Sequence, residues 1–245
     1  MQIPAQCSAS SRVVRFFPSP PRNRRCSGRV DNRVHRTHSS NHQAQDVELS
    51  DVSVALKEWS VTVAAVGDGL QTILVRKGGI REPRFSPKAE NFLLFPTAFH
   101  ADAKMVHPEI AEQYAKEFEF DPKKLRSIPL RQVAHVTQAW TTHDKSCLDA
   151  LRGLHIWTDE YIQKRLKWQE NRAITIMEVR CYTIDPPVDL LSDEDFFGCF
   201  SWVDVPASGR DQPRRILSPS IDDKNFRLCQ EELRTRLESV DIHPM

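Results

Sequence analysis

The segment "AITIMEVRCYTI", residues 173 to 184, decides the fold class because it carries the clearest strand pattern in the chain. Alternate residues from Ile174 to Ile184 would point to one side, and those from Thr175 to Thr183 to the other, which is the two-residue period of a strand. The prolines that follow at 186 and 187 are predicted to end the strand. The segment therefore predicts a β-sheet with this strand as a main member.

Four other segments have the apolar, β-branched composition of strands. They are "LQTILVRK" (70–77), "FLLFP" (92–96), "RQVAHVTQAWTT" (131–142) and "GCFSWVDVP" (198–206). The first two of these strands are predicted to form a hairpin with a long connection, since Pro83 and Pro87 make the intervening residues a loop.

Helical patterns lie between these strands. The spacing of apolar residues predicts helices after Pro108, at 147–154, after an N-cap at Thr158, and after a capping box at Ser220–Asp223. The segment "SVALKEWSVTVAAV" (53–66) fits one face of a helix, and its second half also fits a strand. The predicted fold is a single α+β domain with a mixed or antiparallel sheet flanked by helices.

The domain organisation follows from the composition along the chain. Residues 1–48 are predicted to be a disordered or targeting segment, 49–206 the α+β domain, 207–219 a polar linker, and 220–240 a C-terminal helix that packs on the domain. No apolar run approaches the roughly 18 residues that a membrane span requires.

Charge is distributed unevenly along the chain. Residues 1–45 contain eight arginines, seven serines and one acid, Asp31, so they carry a net charge of +7. Such a composition is typical of a transit peptide, and its Ser and Pro content favours the chloroplast over the mitochondrion; a disordered tail is the alternative. The whole chain has a net charge of +1, so the remaining 200 residues carry −6. That charge disfavours broad nonspecific binding of nucleic acid and leaves room for a local basic patch.

The cysteines do not indicate a metal site. Outside the N-terminal segment they are Cys147, Cys181, Cys199 and Cys229, and none forms a C-x-x-C pair or a zinc-finger spacing with histidine. In a reducing compartment they are predicted to be buried small apolar residues.

Five motifs resemble a known family. They are A-L-K-E-W (55–59), L-V-R-K-G-G-I (74–80), F-L-L-F-P-T (92–97) with His100, H-I-W-T-D-E-Y (155–161) and S-W-V (201–203). Together, over residues 53–205, they resemble the uncharacterised family called domain of unknown function 1802. The chain departs from that family's pattern at Phe95, where the family has Tyr, and at Ala101, where it has Gln. The resemblance implies no activity.

The most basic turn of the body is a candidate site for an anionic or nucleotide-like ligand. Two glycines allow a tight turn, and the neighbouring cations would add charge-assisted bonds to an anion. The candidate residues are Arg76, Lys77, Gly78, Gly79 and Arg81, with Glu58 expected to pair with Arg76 or Lys77. No P-loop pattern is present and no helix follows the turn, so a solvated corner between elements is the alternative.

Metal-capable side chains suggest a second function. His100 and His107 lie close together in the sequence, and Glu178 stands two residues before Arg180 on the central strand, as in the E-x-K strand of metal-dependent nucleases. A metal-dependent hydrolase or nuclease is therefore an alternative function. A structural ion pair is the alternative role for Glu178.

A non-catalytic protein-interaction scaffold is the third function that the sequence allows. No motif identifies a cofactor or a partner, and no complete catalytic motif is present, which favours binding or scaffolding over catalysis. Trp59 and Trp202 are predicted to pack in the core, whereas Trp157 and Trp168 are open candidates for stacking on bases.

Overall fold

The computed structural model describes residues 47–78, 84–98, 101–167, 170–206 and 215–245. All of these residues belong to one compact unit, Asp46–Met245. The predicted N-terminal segment lies outside the described residues up to residue 46, and so do Gly79, Arg81, His100 and Trp168. None of the described helices combines the length and the apolar character that a membrane span requires.

Strands and helices alternate along the described residues. In chain order they are β1 Val54–Trp59, α1 Ser60–Gly67, β2 Ile73–Lys77, β3 Asn91–Thr97, α2 Pro108–Gln113, α3 Ala115–Glu119, β4 Ser127–Thr142, α4 Cys147–Ala150, α5 Asp159–Lys167, β5 Ile174–Leu191, β6 Trp202–Asp204, β7 Ile216–Pro219, α6 Asp223–Leu237 and β8 His243–Pro244.

All eight strands belong to one mixed sheet. Its main order is β2-β5-β4-β3-β1-β6, with β7 beside β5 and β8 beside β4. β1 and β3 run parallel, and the other paired strands of the described residues run antiparallel. The predicted single α+β domain is confirmed, and its sheet is of the mixed kind.

β4 and β5, with 16 and 18 residues, form the long central pair of the sheet. Their register shifts between Leu130 and Gln132 and again between Val136 and Gln138. Irregularities of this kind increase the local twist of a sheet. The sheet curls so far that β2, at one end, lies within side-chain reach of β1 and of the residue before β6, at the other end.

Apolar side chains cover both faces of the central strands. On β3, Phe92 and Leu94 lie in one core cluster, Leu93 and Phe95 lie in another, and all four are fully buried. A strand that is buried on both faces has no reason to alternate apolar with polar residues. This explains the unbroken apolar run of "FLLF".

β2 and β3 lie where the sequence predicts strands, but the predicted hairpin between them is wrong. β2 pairs with β5, whereas β3 lies between β1 and β4. The connection between β2 and β3 places Phe85 in the core, fully buried and stacked on Trp202 with ring centroids 5.9 Å apart. The described part of this connection, residues 84–90, is thus fixed to the core next to β6 through Phe85.

The segment 53–66 divides into two elements, so the prediction of a single helix is wrong in its first half. Residues 54–59 form β1, which pairs with β3 on one side and β6 on the other. Ala55 and Leu56 are both fully buried, in different core clusters. Hydrogen bonds to two neighbouring strands outweigh the helical spacing there, and α1 begins only at Ser60.

β5 continues past Pro186 and Pro187 to Leu191, so the predicted end of this strand is wrong. Both prolines lie at an irregularity between β5 and β4, where the register passes from Thr183 directly to Val188 and no ladder partner is assigned to them. A missing N–H does little harm at such a position.

The segment around the predicted linker contains a strand, because β7, residues 216–219, pairs with β5. The C-terminal helix α6 is present as predicted, but its N-cap is Asp222, whose side chain accepts a hydrogen bond from the Asn225 N–H at 2.8 Å, and not Ser220. Leu233 and Leu237 are buried and pack against the sheet.

Candidate functional site

The candidate ligand-binding segment begins with Arg76, whose side chain contacts other parts of the sheet. Nη1 of Arg76 donates to Glu58 Oε1 at 2.5 Å and to the Lys57 carbonyl at 3.2 Å, and Nη2 donates to Ser201 Oγ at 3.1 Å. Its guanidinium also lies over the Phe85 ring, 5.1 Å from the centroid. The expected pairing of Glu58 with Arg76 is therefore present.

These contacts join the two ends of the curled sheet. Arg76 is on β2, Glu58 is on β1, and Ser201 directly precedes β6. The side chains of the ion pair are only 15% and 9% exposed. Three of the guanidinium's hydrogen bonds are thus directed into the protein, so the first role of Arg76 is to close the sheet.

Lys77 faces a different environment. It is buried, and its Nζ donates to the Arg165 carbonyl on α5 at 3.4 Å. Burial lowers the pKa of Lys77, and the nearby cations Lys145 and Arg165 lower it further. Lys145 itself forms an ion pair with Glu170. The strand end thus brings two cations, Lys77 and Arg165, to the same place. Gly78, the next residue, is buried.

A cleft of about 670 Å³ opens beside these residues. Its walls are the ends of β1, β2 and β3, the helix α5, and the segments 118–123 and 197–201. Its charged lining residues are the cations Lys57, Arg76, Lys77, Lys123 and Arg165 and the acids Glu58, Glu119 and Asp121. The lining has more cations than acids, in contrast to the acidic body of the chain.

Aromatic rings line the same cleft. Trp59 and Tyr161 lie with centroids 5.1 Å apart and planes tilted by 47°. The ring centroid of Trp157 lies 6.1 Å from that of Tyr161. Burial raises the pKa of Tyr161, so this side chain is a neutral phenol near neutral pH. Trp59, predicted to pack in the core, is only half-buried and is part of the cleft wall.

Behind Lys77 and Arg165 the cleft adjoins a small recess of about 30 Å³. Apart from Arg76, its other walls are mostly apolar and include Val75, Ile162 and Ile174. A space of this size holds one or two water-sized groups. The cationic end of the cleft is therefore backed by apolar surface, where charge interactions are stronger than in water.

The β1 side of the cleft also carries Lys57. Its Nζ donates to the carbonyl oxygens of Phe196 and Gly198, at 2.7 and 2.8 Å, and lies 4.0 Å from the centroid of the Phe200 ring. Burial lowers the pKa of Lys57 to about 8; Cys199 opposes this shift, and Lys123 adds a smaller lowering. Lys57 thereby fixes the segment that leads into β6 as one wall of the cleft.

The candidate metal ligands do not come together. Among the described residues, no group of three or more His, Cys, Asp or Glu side chains could hold a metal ion. His107 is the residue before α2, and its N–H donates to the Ile156 carbonyl at 3.1 Å. Glu178 lies on β5 under α6. His100, the third candidate, lies outside the described residues.

Glu178 and Arg180 instead hold α6 on the sheet. Glu178, 1% exposed, accepts hydrogen bonds at its Oε1 from Thr137 Oγ1 and Gln230 Nε2, both at 2.6 Å. Arg180 donates to Asp223 Oδ1 at 2.6 Å. Glu178 thus has hydrogen-bond partners on α6 and β4, which fits a structural role, the alternative to metal binding.

The cysteines separate by exposure. Cys147 and Cys181 are buried, as predicted, and burial raises the pKa of each thiol to about 12. Cys199 is exposed, contrary to the prediction, because it belongs to the irregular segment that Lys57 holds at the cleft wall. Cys229 on α6 is half-buried.

The five motifs that resemble a family meet at this cleft. Each contributes at least one lining residue, for example Trp59, Lys77, Thr97, Tyr161 and Ser201. These residues come from separate strands and from α5, and the order of strands in the sheet brings them together. Sequence reasoning missed Lys57, Lys123 and Arg165 as site residues, although Lys57 belongs to the first motif.

Solved structures of one protein are similar to this chain. The crystal structure of ASCH from Zymomonas mobilis has 11% sequence identity, covers 74% of this chain and 93% of that chain, and gives a TM-score of 0.35. Two single-residue variants of ASCH from the same organism have 12% identity, cover 73% and 76% of this chain and 94% and 96% of their own, and give TM-scores of 0.36 and 0.35.

No curated protein matches the sequence. The family described as "Domain of unknown function (DUF1802)" matches residues 55–232, which is more than half of the 245 residues. The match includes all five motifs and every element from β1 to most of α6. The chain therefore belongs to the DUF1802 family.

Proposed function

We propose that this protein binds an anionic, nucleotide-like ligand in the cleft beside Lys77. The observation that carries the proposal is the meeting of all five family motifs in one concave site. The motifs contain core residues as well, but in addition each of them places at least one polar or aromatic side chain around the same cavity. The volume, about 670 Å³, lies in the range that small-molecule sites occupy.

The anionic part of the ligand would lie at Lys77 and Arg165. Both cations line the cleft and its recess, and the apolar walls behind them strengthen their attraction for a phosphate. Arg76 supports this site indirectly, because its guanidinium is occupied with Glu58 and the opposite end of the sheet. The proposed contact thus moves from the glycine turn itself to the surface between β2 and α5.

The planar part of the ligand would lie on Trp59 and Tyr161. The two rings are tilted to each other by 47°, with centroids 5.1 Å apart, and both line the cleft. Stacking on an aromatic side chain contributes about 1 to 3 kcal/mol per base and tolerates any base, since every base has a π face. A ligand with a phosphate and a heteroaromatic ring would satisfy both ends of the site.

A thermal-shift experiment on the full chain tests this proposal. The probes are a nucleoside triphosphate, a nucleoside monophosphate, the nucleoside alone and inorganic phosphate. A ligand at about 100 times its Kd stabilises a protein by about 2.7 kcal/mol, which raises Tm by about 8 °C for a chain of this size. We expect a clear shift with the nucleotides and a smaller one with either fragment.

Variants locate the response. Lys77→Ala and Arg165→Ala should abolish the shift by nucleotides, and Lys88→Ala, at an exposed position away from the cleft lining, should preserve it. No shift with any nucleotide would refute the proposal and favour the scaffold function. A response to divalent metal alone that is lost in His100→Ala would favour the metal-dependent enzyme instead.

We also propose that the protein is imported into an organelle, the chloroplast in preference to the mitochondrion. The support is the composition of residues 1–45, rich in Arg and Ser and with one acid, Asp31. A fusion of residues 1–48 to a fluorescent protein should enter chloroplasts and be processed in an import assay. Retention of the fusion in the cytosol would refute import.

A further inference from the structure

The cleft contains a second group of cations and rings beside the proposed nucleotide site. Lys57 and Lys123 line this part of the cleft, and each faces an aromatic ring: Lys57 Nζ is 4.0 Å from the centroid of Phe200, and Lys123 Nζ is 5.7 Å from that of Phe197. Phe200 is 42% exposed, an unusual position for so large an apolar side chain. We call these four residues the outer group.

The outer group repeats the chemistry of the site described above, which we call the inner group: Lys77 and Arg165 with Trp59 and Tyr161. Each group offers two cations and two rings, and both line the same cleft. A single mononucleotide has one ring system and one phosphate end, so it would occupy one group and leave the other empty. Two groups in one cleft match a ligand in which phosphates and bases repeat.

We propose that the ligand of the cleft is single-stranded nucleic acid and that the inner and outer groups each hold one of two successive nucleotides. This inference rests on the proposed function, because the inner group is the site argued above. Grooves that bind single strands combine cations that follow the backbone with aromatic side chains on which bases stack. The described lining of this cleft has that composition.

Charge and shape favour a single strand over other polyanions. The lining carries five cations and three acids, a net charge of +2, whereas residues 46–245 as a whole carry −6, so the cleft favours phosphates more than the average surface of the domain does. A duplex would present phosphates only, since its bases are already stacked and paired. An acidic peptide would match the lysines and leave the rings without planar partners.

The lowered pKa of Lys57 makes ligand binding at the outer group detectable by proton uptake. Burial lowers its pKa to about 8, against an opposing effect of Cys199 and with a smaller lowering by the neighbouring Lys123 cation. A phosphate beside Nζ would favour the charged form and raise this pKa. Binding of the strand near pH 8 should therefore be accompanied by proton uptake, whereas a ligand confined to the inner group should cause less.

The experiment measures affinity by fluorescence anisotropy and calorimetry on the full chain. The probes are a nucleoside monophosphate, a 5′-phosphorylated dinucleotide, a single strand of about ten nucleotides as RNA and as DNA, the corresponding duplexes, and an oligoglutamate. We expect the dinucleotide to bind at least about tenfold more tightly than the monophosphate, because two stacked rings replace one. The duplex and the oligoglutamate should bind weakly.

Three variants separate the two groups. Lys123→Gln and Phe200→Leu change exposed outer positions and should weaken the dinucleotide and the longer strand by about fivefold or more each, with little change for the monophosphate. Loss of the Lys123 contact should also reduce the slope of log K against log salt by about 0.7. Lys88→Gln is the matched control and should change nothing.

The outcomes distinguish the two proposals. Equal affinity for monophosphate and dinucleotide, or equal weakening of both by the outer variants, would overturn the two-nucleotide site and leave nucleotide binding intact. Tight binding of the duplex or of oligoglutamate would overturn the single-strand assignment. Absence of binding by every nucleotide probe would refute the proposed function itself.

Discussion

Acid sensitivity of folding should come in large part from one histidine, His155. Its side chain is 7% exposed, it lies 5.2 Å from the Trp157 ring, and neither ring nitrogen has a hydrogen-bond partner within the described part of the chain. Burial, and to a lesser extent the nearby His107, lower its pKa from 6.5 to about 4. The folded protein therefore disfavours the charged imidazolium.

The sign follows from linkage. Between pH 6.5 and pH 4 the unfolded chain binds a proton at His155 and the folded chain does not, so stability is fully present above pH 6.5 and falls as the pH is lowered. Each pH unit in that window costs about 1.4 kcal/mol. Lowering the pH from 7.5 to 5 spans about one and a half such units and should cost about 2 kcal/mol, a decrease in Tm of about 6 °C.

The assay is urea unfolding at pH 7.5 and pH 5, followed by tryptophan fluorescence, for wild type and two variants. In His155→Leu the free energy of unfolding should lose most of its pH dependence, whatever the stability of the variant at pH 7.5. His143→Leu, at an exposed histidine, should retain the full decrease. An equal decrease in wild type and His155→Leu would refute the reasoning.

Three more predictions concern stability and reactivity. Gly69 and Gly153 both have positive φ, but an added Cβ would lie 2.1 Å from the nearest atom at Gly69 and would meet no atom within 4 Å at Gly153. In urea unfolding, Gly153→Ala should lower the free energy of unfolding by about 1 kcal/mol through backbone strain alone. Gly69→Ala should lower it by at least about 1 kcal/mol more, because the methyl group also clashes. Equal costs would contradict the steric argument. Arg76→Ala should destabilise the fold by about 3 kcal/mol, because it leaves a buried carboxylate without its partner, and Arg76→Lys should recover part of this; a loss below about 1 kcal/mol would show that the arginine does not close the sheet. Alkylation with iodoacetamide, followed by peptide mass spectrometry, should label Cys199 rapidly and Cys147 only on unfolding, since Cys199 is exposed and Cys147 is buried with a raised pKa; rapid labelling of Cys147 in the native protein would contradict its burial.

The positions of the strands could be predicted from the sequence better than the pairing of the strands in the sheet. The composition of 70–77 and 92–96 is sufficient to predict β2 and β3, because β-branched and aromatic runs favour strands wherever they pair. Their partners depend on where the connection goes, and that depends on the burial of Phe85 beneath Trp202. A contact between residues so far apart leaves no periodic signal in either segment.

The candidate site was predictable in part. Arg76, Lys77 and Glu58 lie together as their motifs indicate, yet the arginine serves the fold and the lysine faces the cleft. Arg165 and Tyr161 join them only because α5 packs beside β2, a placement that helical periodicity does not specify. No sequence pattern marks Lys123 as a site residue, since a lysine in a turn is typical of any protein surface.

The closure of the sheet by Arg76 has a consequence for how the protein reaches its native state. Arg76 and Ser201, which it contacts, are separated by 125 positions, and contacts of such high sequence separation form slowly because a large loop must close first. A chain still emerging from the ribosome would have the β2 cations without the wall that Ser201 and its neighbours provide. The cleft would form only when the segment leading into β6 is in place, so ligand binding measured during refolding would report the closure of the sheet.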